Sequence, residues 1–511
     1  MIRTGTIALV LAALAAWGCG TAHAQARVTI DRSSPIGTIE PEVYGQFLEH
    51  LGAQPYGSIW VGENSDIPNT DGIRDDVFAA LDALDIPVIR WPGGCYSDRY
   101  QWRDGIGERA VRTNAAWGGT VEPNTFGTHE FFNLAERLGA KTYLNINLGT
   151  GTPKDAADWL EYITATVGDR ADERRANGRD DPWTIDYLAI GNETWGCGGH
   201  ITPESYADMY TLFASFAKTE GEQPARIISG SHDENIEYSD TILEHPYIAG
   251  LAEGISVHVY SLPTGDWGAK GAATGFPEAE WISTIDRALR MQDVIVDQVA
   301  MIEKHEDLGE DFGLYVDEWG TWYDPATADT PALYQQNTMR DAVVAALNFN
   351  IFHAHADNVK MTNIAQMVNV LQAMILTDGP DMVLTPTYHA FEMYRPFQGA
   401  TALPVSYDAG KYTHGDRSVI ALSISVAETP EGELVIALVN TDARATHSVD
   451  LGALGASGFA GRILTADAMD AHNTFSSPAT VAPQPFTVRS GSSGLIATLP
   501  PHSVVVLKAT P

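Results

Sequence analysis

The chain has 511 residues, with 66 Asp and Glu against 31 Lys and Arg and a formal net charge of −35. A field of that sign repels phosphate backbones and excludes nucleic acid as a partner. Three cysteines are too few to frame a chain of this length with disulfides, so a buried apolar core must hold it together.

Residues 1–24 carry one basic residue, Arg3, an apolar stretch from Ile7 and the small-residue pattern Ala22-His23-Ala24. This pattern predicts a signal peptide cleaved after Ala24, and hence an exported protein of the periplasm or the extracellular space. Lipidation of Cys19 is the lesser alternative, because Ala16-Trp17-Gly18 is a poor approach to an acylated cysteine. No later segment offers the ~18 consecutive apolar residues of a membrane span. Cleavage would leave Cys95 and Cys197, and export would permit one bridge between them; the sequence leaves their pairing open.

Eight short apolar or β-rich runs follow: VYGQF from Val43, VIRW from Val88, TYLNIN from Thr142, DYLAIGNE from Asp186, RIISGS from Arg226, ISVHVY from Ile255, LYVDEW from Leu314 and KMTNIAQ from Lys360. Between them lie segments with apolar residues three and four apart, such as RDDVFAALDAL from Arg74 and DAVVAALNFNIF from Asp341. Thr152-Pro153 and Thr202-Pro203 each put a hydroxyl before a first-turn proline, a helix-start signal. Strands alternating with helices imply parallel strands joined by right-handed crossovers, and eight units predict an α/β fold, a closed (β/α)8 TIM barrel. A doubly wound open sheet would want an early glycine fingerprint, which is missing. From about Asp378 the runs shorten and alternate, as in GELVIALVNTD and HSVVVLKAT, which predicts a C-terminal antiparallel β-sandwich. The expected division is a leader at 1–24, a strand segment at 25–40 joining the sandwich, a catalytic barrel at 41–385 and a sandwich at 386–511.

Working residues of such a barrel sit at the C-terminal ends of its strands. Two glutamates satisfy that filter, Glu193 ending the fourth run and Glu318 ending the seventh. A lone strand-end acid is more often a solvated cap than a catalyst; two of them with Trp195, Trp319 and Trp322 nearby weaken that reading. Neighbouring strand residues point to opposite faces, so Asp317 and Glu318 are not both expected to face the axis, whereas a terminal bulge would let Asn192 and Glu193 reach one ligand. Paired carboxyls beside aromatic rings suit glycosidic bond cleavage. A separation of about 5–5.5 Å lets one carboxylate attack the anomeric carbon, and a wider gap admits water and inverts it. The alternatives are a same-fold hydrolase of β-glucan or β-xylosides, and a non-catalytic carbohydrate-binding protein using the tryptophans as platforms.

The motifs VYGQFLEHLG, RWPGGCYSDRYQWRDGIG, WGGTVEPNTFGTHEF, GNETWGCGGH, SVHVY, DEWGTWY and IAQMVNVLQAMILTDG, spread over residues 40–395, resemble those of glycoside hydrolase family 51, the α-L-arabinofuranosidases. The resemblance implies a retaining exo-enzyme that removes terminal α-L-arabinofuranosyl residues from arabinan, arabinoxylan or their oligosaccharides, without cofactor or metal. It implies Glu193 as general acid/base and Glu318 as nucleophile. Asn192 would bind the 2-hydroxyl, with Glu49, His258, Tyr260 and Gln366 on other substrate groups. Arg90 would lie beside Glu318 and keep it ionised. Cys95 departs from the Asn of many relatives and would offer a weak thiol donor to the sugar, or pair with Cys197. His258 on a strand is by itself more often a core histidine than a ligand contact. His353 and His355, two apart on a helix, share no face and make a poor metal pair. Relatives of this kind often assemble, so a homo-oligomer is a further expectation.

Overall fold

A computed structural model describes residues 26–510 except 234, 328, 329, 492 and 493. Eight strands close into one parallel barrel: β1 (Gly45–Phe47), β2 (Val88–Trp91), β3 (Lys141–Ile146), β4 (Tyr187–Ile190), β5 (Ala225–Ile228), β6 (Gly254–Ser261), β7 (Gly313–Thr321) and β8 (Val359–Ile364). Each falls on one of the eight runs read from the sequence. Their residues are buried on both faces almost throughout, because side chains fill the barrel inside while helices cover it outside.

The principal covering helices are α1 (Asp75–Asp82), α2 (Thr128–Leu138), α3 (Pro153–Thr164), α4 (Pro203–Phe216), α5 (Ile236–Leu243), α6 (Glu278–Ile302), α7 (Met339–Ala354) and α8 (Pro386–Tyr394). Thr152 and Thr202 cap α3 and α4 as their sequences predict: the backbone N–H groups of Asp155 and Ser205 donate to their hydroxyls. No helix of the described residues is long and apolar enough to cross a membrane.

Beyond α8, a seven-stranded sheet runs in the order 484–489, 458–464, 503–510, 434–440, 422–428, 401–403 and 37–38, and a three-stranded sheet pairs 26–27, 447–450 and 496–499. Leu422, Ile436, Leu438, Val449, Phe459, Leu499 and Val505 form the apolar layer between them. Helix α7 is buried along nearly its whole length because it lies between barrel and sandwich. Near its end the Asn350 side-chain amide donates to Ser423, and the two nitrogens of His353 lie 2.7 Å from the Tyr44 hydroxyl and 2.8 Å from that of Ser425. His353 is therefore a satisfied core residue whose pKa burial pushes down to about 3.

One expectation about the strands fails. Ser256 pairs with Tyr315 and His258 with Glu318, while Val316 pairs with Thr362 and Trp319 with Ile364, so between these pairs β7 carries one extra residue against each neighbour. The bulge cancels the alternation at Asp317-Glu318 and turns both carboxylates toward the axis.

Candidate active site

The C-terminal ends of the strands gather the charged residues around His258. This side chain, on β6, is 6% exposed. Its Nδ1 lies 2.9 Å from Glu193 Oε1 and 3.5 Å from Glu318 Oε2, and its Nε2 lies 3.2 Å from Asp317 Oδ1. Glu193, His258 and Glu318 each bring one atom within 4.8 Å of the other two. The two glutamates therefore bring an oxygen of each within 4.8 Å of the other, close enough to act on one bond.

Burial alone would depress the imidazolium. Glu318, Asp317 and Glu193 outweigh it and raise the pKa of His258 to about 10, so it is cationic at neutral pH. Arg90, on β2, is the second buried cation. Its Nη1 donates to Glu318 Oε2 at 3.0 Å and to the Asp317 carbonyl at 3.2 Å, its Nη2 donates to Asn192 Oδ1, and its guanidinium stands 4.4 Å from the Phe47 ring centroid. Desolvation of Arg90 is likewise outweighed, by Asp317 and Glu318. The Tyr260 hydroxyl donates to the other oxygen of Glu318 at 2.6 Å. Both oxygens of that carboxylate thus have a fixed donor, and its plane is set.

Glu193 reaches this cluster through unusual backbone. The strand ends at Ile190, and Glu193 itself has φ +42°, a left-handed conformation that costs about 1–3 kcal/mol in a non-glycine residue. Asp98 anchors the turn. One of its oxygens accepts the N–H groups of Leu148 and Gly149 and the other that of Asn192, while burial, offset only in part by these bonds, pushes its pKa to about 7. The side-chain nitrogen of Asn192 is buried without a partner, a donor left open in the site.

Glu49, two residues past β1, closes the other side. It accepts from the Tyr96 N–H, Trp117 Nε1 and Gln366 Nε2 at 3.0–3.1 Å. Burial, then repulsion from Glu318, raises its pKa to about 7 in spite of these three donors. Gln366 is committed in turn, because its carbonyl accepts from Gln54 Nε2 at 2.6 Å. Gly93 makes the packing possible: at φ +134°, a Cβ there would sit 2.3 Å from Glu49 Cγ.

Cys95 and Cys197 are joined in a disulfide across a sequence separation of 102. No thiol donor is present, so the reading of Cys95 as an S–H contact to a sugar is corrected. The bridge ties the turn after β2 to the loop after β4, and Cys197 Sγ packs 3.3 Å from Glu193 Oε2. Trp195 and Trp322 line the open side, beside Trp267; Trp319 does not, being fully buried with Phe349, Phe352 and Phe391 in the core. All nine residues singled out in the sequence are therefore at one barrel mouth. Three that belong with them were missed. Asp317 was hidden by the bulge, while Asp98 and Trp117 lie in three-residue 3-10 turns too short for periodicity to mark.

Known proteins resemble this chain over nearly its whole described length. The family model described as Alpha-L-arabinofuranosidase 1 domain matches residues 80–265, and that described as Alpha-L-arabinofuranosidase C-terminal domain matches residues 317–503. An intracellular exo-alpha-L-arabinofuranosidase of Bacteroides ovatus is 42% identical over 499 residues, 96% of either chain. The GH51 arabinofuranosidase of Xanthomonas axonopodis pv. citri superposes with a TM-score of 0.91 at 44% identity, over 95% of this chain and all of that one. The thermostable GH51 alpha-L-arabinofuranosidase of Thermotoga petrophila RKU-1 gives 0.83 at 27% identity, with the same coverage. The Bacteroides relative, matched nearly end to end, is named intracellular, which overturns the expectation of export to the periplasm or the extracellular space. That expectation rested on Arg3, the apolar run and the Ala22-His23-Ala24 pattern, all of which lie outside the described residues.

Proposed function

Since this chain belongs to the α-L-arabinofuranosidases of glycoside hydrolase family 51, we propose a double displacement with Glu318 as nucleophile and Glu193 as general acid/base. The enzyme hydrolyses α-L-arabinofuranosyl bonds of arabinose-containing glycans, and the family retains the anomeric configuration. The observation that carries the assignment is the approach of Glu193 and Glu318 to within 4.8 Å around His258.

In the first step Glu318 attacks the anomeric carbon while Glu193 protonates the departing oxygen. In the second, Glu193 takes a proton from water as the water oxygen attacks the anomeric carbon and breaks its bond to Glu318, releasing arabinose. Arg90 and Tyr260 hold the nucleophile in one plane, so little reorientation opposes the attack. The open Nδ2 of Asn192 is the donor to the 2-hydroxyl, a bond that strengthens as the ring gains oxocarbenium character. Glu49, steered by Gln366 and Trp117, binds other ring hydroxyls. Exo action on terminal residues of arabinan, arabinoxylan or their oligosaccharides belongs to the same proposal, supported by the name of the Bacteroides relative. The division into a barrel at 41–385 and a sandwich at 386–511, with 25–40 joined to the latter, is also part of it; α8, which follows the eighth strand, opens the second segment.

The test is Glu318→Gln and Glu193→Ala on 4-nitrophenyl α-L-arabinofuranoside. Both should lose turnover by about two to four orders of magnitude, and azide should restore Glu193→Ala in part with a retained azide product by NMR. Near wild-type rates in both variants would overturn the assignment.

A further inference from the structure

The catalytic cluster opens on one side into a pocket of about 410 Å³ whose lining includes Glu193, Trp267, Trp322, Gly265, Arg287 and Arg290. Trp322 stands edge-on to both Trp267 and Tyr260, at centroid distances of 5.3 and 5.0 Å, and Trp267 is 57% exposed. Flat apolar faces of this kind receive sugar rings.

Arg287 and Arg290 lie three apart on α6, on one face of the helix. Arg290 is paired with Asp233 at 3.6 Å. Arg287 makes no hydrogen bond or ion pair with the described residues, and its Nε is buried without a partner. Its guanidinium instead packs closely against Gly265, where a Cβ would come within 2.2 Å of Nη2 and 2.6 Å of Cζ. Lys270 adds a second cation nearby, 5.9 Å from the Trp322 ring centroid. Arg137, Arg174 and Arg340 also lack a carboxylate, but each donates to a backbone carbonyl; Arg287 does not, and a half-buried guanidinium with no counter-ion is unfavourable until one arrives.

We propose that Arg287 marks a leaving-group subsite for an anionic sugar, with the guanidinium receiving the carboxylate of a uronic acid residue near the scissile bond. The inference rests on the reading of Glu193 as the acid that protonates the leaving oxygen, since that reading puts the aglycone on this side. A guanidinium fork matches a carboxylate with two parallel N–H donors, and the tryptophans hold the ring that carries it. Neutral aglycones fill the same faces and leave the charge unpaired.

The experiment compares kcat/KM on two oligosaccharides with the same terminal arabinofuranosyl group, one neutral and one bearing a uronic acid on the aglycone. The wild type should prefer the acidic substrate by about tenfold, the effect of one charge-assisted pair. The preference should shrink as salt rises from 20 to 500 mM, and Arg287→Gln should reduce it to within about twofold. No preference in the wild type, a preference indifferent to salt, or one unchanged in Arg287→Gln overturns the proposal. Calorimetric titration of Glu193→Ala with the two oligosaccharides reads the same preference without turnover. If Glu193→Ala still turns over normally the acid/base reading is wrong, while the ratio in Arg287→Gln continues to judge the subsite.

Discussion

His258 Nε2 lies 3.2 Å from Asp317 Oδ1, on the edge of the imidazole opposite Glu193. Asp317 also accepts from the Tyr143 hydroxyl at 2.8 Å, and although burial works against its ionised form, Arg90 and His258 hold its pKa below the usual carboxylate value. The pair has a pH signature. A histidine raised from 6.5 to about 10 supplies stability that is complete below pH 6.5 and lost as pH climbs through about 10. The melting temperature of the wild type should therefore fall between pH 7 and 10 more steeply than that of His258→Asn. Asp317→Asn should move the loss to lower pH and cost about 3–5 kcal/mol at pH 7, because it leaves buried cations short of a partner. Parallel melting curves for the wild type and His258→Asn would contradict the charged imidazole.

Glu49 gives the opposite kind of test. Four buried or half-buried carboxyls, Glu49, Glu193, Asp317 and Glu318, share the site with two cations, Arg90 and His258. Burial and Glu318 lift Glu49 from 4.5 to about 7, so the folded protein binds a proton there that the unfolded chain has released. Stability from this group falls as pH rises from about 4.5 to 7 and stays low above that. Glu49→Gln cannot ionise. Its unfolding free energy should gain on the wild type between pH 5 and 8 by up to roughly 3 kcal/mol, even though the new amide opposes the donor of Gln366 and lowers stability at every pH. Urea titrations of both proteins at four pH values check it.

The barrel and the two glutamates were legible because they depend on periodicity. Eight apolar runs at helix-length spacing specify the strands, and the strand-end rule selects Glu193 and Glu318 from 66 acidic residues. The rest depends on departures from period. The extra residue in β7 makes Asp317 an inward-facing partner of His258 and Arg90, and no hydrophobic pattern announces a bulge. Asp98 and Trp117 act through loop backbone and a single indole N–H, which composition does not reveal. Trp319 misled in the other direction: its place beside Glu318 in sequence says nothing about which face it occupies, and its indole donates to Thr362 Oγ1 inside the core.

The bond between Cys95 and Cys197 closes a long loop and ends four residues from Glu193. Constraint of the unfolded chain by such a loop stabilises by about 2–5 kcal/mol. Cys197→Ser, or reduction of the wild type, should lower the melting temperature. It should also lower kcat/KM, since the loop bearing the acid/base and the turn that carries Gly93 and Tyr96 against Glu49 lose their tether together. Peptide mapping after alkylation of denatured, unreduced protein should find neither Cys95 nor Cys197 modified. Alkylation of both would remove the bridge and this expectation with it.

Gly93 tests whether Glu49 must occupy its present position. A Cβ at this glycine would stand 2.6 Å from Glu49 Cβ and 2.9 Å from its Cα, so rotation of the glutamate side chain cannot relieve the clash and backbone must move. Overpacking of this kind costs about 1–3 kcal/mol, and the positive φ adds strain of about 1–3 kcal/mol. A displacement of Glu49 by even ~1 Å should lower kcat/KM by up to about a hundredfold. Stability loss alone would also reduce the active fraction, so the deciding measurement is a double-mutant cycle with Glu49→Gln. If Gly93→Ala acts by displacing Glu49, its effect on kcat/KM largely disappears in the Glu49→Gln background; additive effects would mean that the glycine serves the fold of the loop and not the placement of the carboxylate.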